Sequence, residues 1–158
     1  MKNTNTLELT SQDRALLILL QKDGRMSTQA LAEATAMSNS ACWRRVKLLE
    51  DRGVIKGYSA ILDPGACGLD FHAMVQIVLS RHNSDSALDF ISAVQDRPEV
   101  LDCFATTGDS DYHLRVRCQN IDAYNEFLEG FMFKLDAVAT VRTNLVLRQA
   151  KHETGIAL

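Results

Sequence analysis

The chain has 158 residues, of which 46% are hydrophobic, and its formal net charge is −3. This length suits one ordinary domain or two small ones, and we predict two small ones. No apolar run reaches the ~18 residues that a membrane-spanning helix requires, and the first residues do not open a signal peptide. We therefore expect a cytoplasmic protein without a membrane partner.

Charge is distributed unevenly along the chain. Residues 1–62 hold nine Lys/Arg and six Asp/Glu, whereas residues 63–158 hold eight and fourteen, so the net charges are +3 and −6. This asymmetry indicates a basic module that contacts phosphate, joined to an acidic module that does not. The four cysteines form no C-x-x-C pair, and no histidine stands at zinc-finger spacing. We expect reduced thiols, no metal site and no cofactor.

Three helices are predicted in the basic module. Thr10 caps the first, over Ser11–Lys22, with Asp13 in the capping-box position, and Ser27 caps the second, over residues 28–35. The third lies within residues 38–53, and its buried stripe is Cys42, Val46 and Leu49. Because a tight turn joins the last two helices, the pattern is typical of a helix-turn-helix.

The third helix is the predicted DNA-recognition helix, because in this motif the last helix enters the major groove by its N-terminal residues. Small residues at its start let the backbone approach base edges and phosphate, and its arginines supply fixed charge. The candidate DNA-binding residues are Ser38, Asn39, Ser40, Trp43, Arg44, Arg45 and Lys47. For Trp43, packing against a neighbouring helix is an equal alternative. Residues 54–62 predict a strand that serves as a wing or a connector.

The periodicity changes to two in the acidic module, where residues 71–80 alternate as a strand. A helix follows, capped within residues 83–85, ending before Pro98 and burying Leu88, Ile91 and Val94. Strands at 100–106 and Tyr112–Cys118 form a hairpin, an amphipathic helix begins at Asp122, and residues 140–149 form the last strand.

This order of elements, β-α-β-β-α-β, is that of a ferredoxin-like domain. The predicted fold class is therefore α+β, with an N-terminal winged helix-turn-helix followed by a ferredoxin-like domain. We place the DNA-binding domain at residues 1–62, a linker at 63–70, and the ferredoxin-like domain at 71–158. His72, Met74, Gln76 and Val78 fall on the non-core face of the first strand and are predicted to contact another subunit.

Three segments stand out in order along the chain: SNSACWRRVKLLEDRGVIKGYSAILDP, then ATTGDSDYHLRV, then RTNLVLRQAKHET. Together they resemble the Lrp/AsnC family of bacterial and archaeal transcription regulators. The resemblance implies a winged helix-turn-helix that binds double-stranded DNA and a ligand-binding domain for an amino acid or a related small molecule, so that residues 71–158 would form the effector-binding and oligomerisation domain. It also implies homodimers that assemble into higher oligomers such as an octamer. Related sequences commonly place glycine where this chain has Ala36, so we expect a positive φ there.

The loop at residues 107–112 is the candidate effector site. Asp109 and Asp111 offer carboxylates to an ammonium group, and Gly108 lets backbone N–H groups approach a carboxylate. The residues alone favour a plain hairpin turn, whereas the family resemblance favours an effector loop. The candidate effector residues are Thr107, Gly108, Asp109, Asp111 and Tyr112, to which the resemblance adds Thr143 and Asn144 on the last strand.

Two other functions compete with regulation. Ferredoxin-like folds also host enzymes, but the four histidines are scattered and no G-x-S-x-G or H-E-x-x-H motif occurs, so no catalytic residue is assigned. An architectural DNA-binding protein without an effector would share the DNA-binding half. The two DNA-binding functions differ in whether any amino acid changes DNA affinity or assembly.

Overall fold

A computed structural model describes residues 8–80, 86–153 and 155–158. The chain divides into two compact units, of which the first ends at Ile61 and also contains Lys151–Leu158, and the second is Leu62–Ala150. The last eight residues therefore belong to the first unit, although the sequence analysis placed them in the second domain. Among the described residues, no helix is long and apolar enough to cross a membrane.

The first unit contains the three predicted helices, α1 (Ser11–Lys22), α2 (Thr28–Ala34) and α3 (Asn39–Asp51). The predicted caps are confirmed, since the side chain of Thr10 accepts from Asp13 N–H and that of Ser27 accepts from Ala30 N–H. The buried core of the three helices consists of Leu16, Leu31, Ala32 and Cys42. A polar contact adds the C-terminal tail to this unit, because the Gln21 amide both donates to and accepts from the backbone of Ile156.

The turn between α2 and α3 has the left-handed residue that was expected. Ala36 has φ 52° and is the one non-glycine residue with positive φ among the described residues. The Met37 N–H bonds the carbonyl of Ala32 at 2.9 Å, and the Ala36 N–H bonds that of Glu33 at 3.4 Å. This pair of bonds defines a Schellman motif, in which the left-handed position is usually glycine.

The same motif ends α3 with the usual residue. Gly53 has φ 69°, and bonds from Val54 N–H to the Leu49 carbonyl and from Gly53 N–H to the Glu50 carbonyl close the helix. The chain therefore contains two equivalent helix ends that differ in whether a Cβ must be accommodated.

The prediction of a strand at residues 54–62 is wrong. None of these residues is in a strand, because no described segment pairs with them. Instead the Tyr58 hydroxyl donates to the Glu50 carboxylate at 3.1 Å, and its ring lies so close to Gly24 that a Cβ there would be 3.2 Å from Tyr58 Cδ1. The segment is a connector that contacts the helices through Tyr58 and through N–H groups of Val54 and Ile55, which bond the Leu49 carbonyl.

The second unit is a four-stranded antiparallel sheet with two helices. Its elements are β1 (Phe71–Leu79), α4 (Ser86–Gln95), β2 (Val100–Ala105), β3 (Tyr112–Cys118), α5 (Ile121–Gly130), a 3-10 turn (Met132–Lys134) and β4 (Val138–Leu145). The strand order is β2-β3-β1-β4, and each neighbouring pair is antiparallel. The predicted β-α-β-β-α-β order is confirmed.

Both helices pack on one face of this sheet. The odd-numbered residues of β1 and the even-numbered residues of β3 join Phe90, Val94, Tyr124 and Phe127 in the core. Leu88 was predicted to be buried but is 69% exposed, and Phe90 fills the core position instead. The cap predicted for α4, at residues 83–85, lies outside the described residues.

The second helix and the last strand differ from their predicted extents. Asn120 caps α5, and Gly130 ends it, so Phe131 and Leu135 reach the core from beyond the helix. β4 begins at Val138 and ends at Leu145, earlier at both ends than predicted. Since Leu145 is already in register with Ala73, near the start of β1, residues beyond 147 have no residue of β1 left to pair with.

The two Schellman motifs allow a paired stability test. Ala36→Gly should raise the free energy of unfolding of the first unit by about 1 kcal/mol, because it removes the Cβ from a left-handed residue. Gly53→Ala should lower it by a similar amount, since a Cβ added to Gly53 would have nothing within 4 Å and only the backbone penalty remains. Denaturant unfolding measures both. An Ala36→Gly variant that unfolds earlier than the parent would contradict the assignment.

Candidate functional site

The exposed side of α3 carries most of the predicted DNA-binding residues. Ser38, Asn39 and Ser40 are exposed at its start, and Trp43, Arg44 and Lys47 are exposed along it, while Cys42 and Leu49 are buried on the other side. A cleft of about 590 Å³ runs beside the helix. It is lined by Thr10, Gln12, Met37, Ala41, Trp43, Arg44, Arg45, Lys47, Leu48 and Asp51.

The start of α3 is arranged as an anion site would be. The Ser38 hydroxyl accepts from Ala41 N–H at 3.3 Å and lies 3.3 Å from the Ser40 hydroxyl. The N–H groups of Asn39 and Ser40 have no intrahelical acceptor, as in the first turn of any α-helix. Donors and helix dipole together favour a phosphate at this end.

Arg45 is only partly exposed, with 33% of its side chain accessible, because it pairs with Asp13 of α1. The Nε of Arg45 donates to Asp13 Oδ1, and an Nη donates to Asp13 Oδ2 at 2.7 Å. Asp13 is fully buried, and its Oδ2 also accepts from the N–H and hydroxyl of Thr10, each at 2.8 Å. The capping box of α1 and the bidentate contact from α3 therefore meet on one carboxylate.

The charge of Asp13 is stabilised by this arrangement. Hydrogen bonding from Arg45 is the main cause that lowers the pKa of Asp13 from 3.8 to about 2, against the opposing effect of burial. Asp13 was predicted only as a capping residue, and the sequence contained no local sign of its partner, which lies 32 residues away. Arg45 therefore has a positioning role that the sequence did not assign to it.

The remaining cationic side chains of α3 differ in whether they form an ion pair. Arg44 is exposed and pairs with no described residue. Lys47 is also exposed, but its ammonium lies 3.1 Å from the Asp51 carboxylate, which raises the pKa of Lys47. Such an exposed pair contributes little to stability and can exchange for phosphate. Trp43 is 61% exposed and belongs to neither buried core, so the alternative in which it packs against a neighbouring helix is not observed.

The candidate effector loop joins β2 to β3 and is held at its end by β1. Asp111 N–H donates to the Ile77 carbonyl at 2.9 Å, and the Asp111 carboxylate accepts from Leu79 N–H at 2.7 Å. Gly108 has φ 116°, a conformation that side chains rarely adopt. Thr107, Gly108 and Asp109 are exposed, and the Asp109 carboxylate contacts no described residue.

Tyr112 is the buried member of this set, with its ring 5.0 Å from that of Phe90. It anchors the loop from below rather than facing solvent. Asp111 likewise has a structural partner, so one of its carboxylate oxygens is already engaged. The loop therefore presents Asp109 fully and Asp111 in part.

The structure does not bring Thr143 and Asn144 to this loop within one chain. Tyr112 is in register with Ile77 and so with Val141, two strand spacings or roughly 10 Å away, and Thr143 lies two residues further along β4. Thr143 and Asn144 also point to opposite faces of the sheet. The Thr143 hydroxyl lies 2.6 Å from the Tyr124 hydroxyl, on the helix side.

The sheet face opposite the helices carries the predicted subunit-contact residues. His72 is only 8% exposed, and its Nε2 has no hydrogen-bond partner among the described residues. Burial, with the nearby Arg117 and Arg115, lowers the pKa of His72. Met74, Gln76 and Val78 are half-buried beside it, and Phe104 of β2 is 54% exposed on the same face. This face is a mixed apolar and basic surface in an otherwise acidic unit.

Two family models match the chain. The model for the Lrp/AsnC ligand binding domain matches residues 72–156, and a winged helix-turn-helix DNA-binding model matches residues 9–56. The DNA-binding transcriptional activator DecR of Escherichia coli K12 is 36% identical over 146 residues, which are 92% of this chain and 96% of DecR. The leucine-responsive regulatory protein of the same organism is 34% identical over 151 residues, covering 96% of this chain and 92% of that protein.

Solved structures agree with these matches. A transcriptional regulator from Neisseria meningitidis, in complex with L-Met, superposes with a TM-score of 0.91 at 34% identity, covering 94% of this chain and 96% of that one. An AsnC family regulator from Agrobacterium tumefaciens superposes with a TM-score of 0.89 at 30% identity and the same coverage. Fold and recognition helix thus define a DNA-binding transcription regulator with a ligand-binding domain, and not an enzyme. The chain belongs to the Lrp/AsnC family.

The Asp13 carboxylate gives the first unit a specific acid sensitivity. Its folded pKa, about 2, is below its unfolded value of 3.8, so its contribution is fully present above pH ~4 and is lost as the pH falls through 2. The loss is about 2 kcal/mol. Urea unfolding followed by the fluorescence of Trp43 measures it at successive pH values. As the pH falls from about 4 to 2, the difference in free energy of unfolding between the parent and Asp13→Asn should decrease by that amount.

Asp51→Asn is the matched control, because its exposed carboxylate also pairs with a cation of α3. Because an exposed ion pair contributes little to stability, the difference in free energy of unfolding between Asp51→Asn and the parent should stay small throughout the titration. Parallel acid curves for the parent and Asp13→Asn would show that the Arg45–Asp13 contact does not form.

Proposed function

We propose that this regulator binds double-stranded DNA through α3 and responds to an amino acid or a related metabolite bound in its second unit. The observation that carries the DNA-binding part is the exposed start of α3, with unpaired N–H groups, Arg44 and Lys47 on one side. We assign the phosphate contacts to Arg44, Lys47 and the N-terminal turn at Ser38, Asn39 and Ser40. Acting on chromosomal DNA, the protein would work in the cytoplasm of its host cell.

Arg45 enters this proposal as a positioning residue. Its guanidinium is bound by the buried carboxylate of Asp13, so it holds α3 against α1 within the helix bundle. Removing it would leave Asp13 buried without its main partner, which destabilises a protein more than the loss of an exposed pair.

The amino-acid part of the proposal is supported by the ligand-binding-domain match and by the loop at residues 107–112. A zwitterion needs an anionic group for its ammonium and donors for its carboxylate, and the loop offers both through Asp109, Asp111 and the backbone at Gly108. The Neisseria relative was solved with L-Met, which makes an amino acid the first ligand class to test. Thr143 and Asn144 would join the site only where subunits meet.

We further propose that the sheet face with His72, Met74, Gln76 and Val78 contacts a second copy of the chain. Half-buried apolar residues, and a histidine whose Nε2 has no hydrogen-bond partner among the described residues, suit a surface that is covered in a homodimer. Dimers that associate further, as in an octamer, would bring loops and β4 strands of different subunits together.

One screen separates this function from DNA packing without an effector. Thermal unfolding of the full chain is measured with each of the twenty amino acids, and each ligand that raises the melting temperature is then added to band-shift assays. The DNA would include the chain's own upstream region. A ligand that shifts both melting and DNA binding supports regulation. DNA binding that no amino acid alters would favour the architectural function.

The salt dependence of binding tests the DNA surface. The observed binding constant should fall linearly on a double logarithmic plot against salt, with a slope of roughly −0.9 for each phosphate contact. Arg44→Ala should make that slope less steep by about 1 and weaken binding to all sequences. Arg52→Ala is the matched control, because this exposed arginine lies at the opposite end of α3.

Arg45→Ala should weaken binding together with the stability of the first unit, whereas Arg44→Ala should weaken binding alone. Unchanged operator binding by the Arg44→Ala/Arg45→Ala double variant, with folding intact, would remove α3 as the DNA-binding element.

The effector loop is tested by a variant that changes charge without removing a contact. Asp111→Asn keeps an oxygen that accepts from Leu79 N–H but loses the charge that would bind an ammonium group. Effector affinity should fall about tenfold or more, the value of a charge-assisted bond of ~1.5–3 kcal/mol. DNA binding and dimer formation should remain. Calorimetry measures affinity, and light scattering measures assembly.

Asp111→Ala should lose the same affinity and also some thermal stability, since Leu79 N–H then has no acceptor. Effector affinity and ligand-dependent assembly that stay unaltered in both variants would show that the loop is only a turn.

A further inference from the structure

Trp43 is an exposed indole in the middle of the proposed DNA surface. It is the single tryptophan of the chain, and 61% of it is exposed on the second turn of α3, next to the fully buried Cys42. Large apolar side chains on one helix normally turn inward, so this position is not explained by the stability of the three-helix bundle. A ligand that covers the indole would explain it.

The neighbours of Trp43 indicate which ligand. With 3.6 residues per turn, Ser40 and Lys47 flank it within about 60° around the helix, and Arg44 follows it directly. Those three residues form the face assigned above to DNA. Trp43 also lines the cleft beside α3. An apolar surface therefore lies among groups that hold phosphate.

The chemistry of the indole restricts what it can recognise in a major groove. It has one N–H donor and no acceptor, so it cannot form the paired hydrogen bonds by which arginine reads guanine or asparagine reads adenine. The one apolar group on the base edges of that groove is the 5-methyl group of thymine. A phosphate contact through the indole N–H would leave the ring faces uncovered and would carry no sequence information.

We propose that Trp43 is a specificity-determining residue that packs against a thymine 5-methyl group in each half-site of the operator. The inference rests on the proposed DNA-binding function and adds to it the base that this position reads. Arg44 and Lys47 hold the backbone, and Trp43 selects thymine at one place.

The test replaces thymine by deoxyuridine, which removes only the methyl group. An operator is first selected from random duplex DNA with the full-length parent protein, and each thymine is then replaced in turn. One thymine per half-site should be sensitive, with affinity falling about fourfold, the effect of burying one methyl group. The Trp43→Ala variant should bind the original operator more weakly and should bind both forms of it equally. Trp43→Phe should keep most of the discrimination.

A double-mutant cycle then isolates the contact. Arg44→Ala is the control, because it should weaken binding to the thymine and deoxyuridine operators by the same factor. Thermal unfolding of Trp43→Ala should match that of the parent, since the side chain is exposed. The fluorescence of Trp43 should be shielded from a soluble quencher by operator DNA more than by random DNA.

The outcomes separate the two proposals. Failure of the parent to bind any duplex would overturn the proposed function itself. DNA binding with the same thymine preference in the parent and in Trp43→Ala, or with no sensitive thymine at all, would overturn only the role of Trp43.

Discussion

The contact on which the proposed DNA-binding surface depends is the ion pair between Arg45 of α3 and the buried carboxylate of Asp13. A carboxylate with no exposed surface is costly unless its charge is paired and hydrogen-bonded, and the first turn of α1 supplies only part of what it needs. Arg45 donates the remaining hydrogen bonds and the opposite charge, and this contact favours one relative orientation of α1 and α3. The rotation of α3 is fixed at the same time, which leaves Trp43, Arg44 and Lys47 on the outside. One arginine thus positions the residue beside it.

In the loop of the second unit, one carboxylate likewise has two roles. Asp111 is both the best candidate for an effector's ammonium group and the acceptor for the Leu79 N–H, at a point where the pairing of β1 with β4 is irregular. A carboxylate held by the backbone is already oriented, so less conformational freedom is lost when a ligand binds to its other oxygen. The same bond means that a ligand pulling on Asp111 acts on the end of β1. Two hydrogen bonds therefore connect the candidate site to β1, one from Asp111 N–H to the Ile77 carbonyl and one from Leu79 N–H to the Asp111 carboxylate.

Local sequence patterns were enough for most of the fold, and long-range partners account for the errors. The caps at Thr10 and Ser27 and the alternation in β1 and β3 were predicted because each depends on residues a few positions apart. Residues 54–62 have a strand-like composition but no strand to pair with, and propensity alone cannot provide one. The contact between Arg45 and Asp13 was not predicted, because the two residues lie 32 positions apart in the sequence. Leu88 was assigned to the core on helical spacing, which Phe90 satisfies two residues later.

The separation of the candidate effector residues bears on how a ligand could reach DNA. The loop at residues 107–112 and the pair Thr143 and Asn144 lie two strands apart in one chain, and the Thr143 hydroxyl is already engaged by Tyr124. A ligand that used both groups would have to bind where two copies of the unit meet. Its binding energy would then favour one assembly over another, which is the condition for an effector to change DNA affinity at all. If α3 reads the bases as proposed above, such a ligand need not alter any contact of Arg44 or Trp43 with DNA. It would act by changing how many copies of α3 are presented together, and at what spacing.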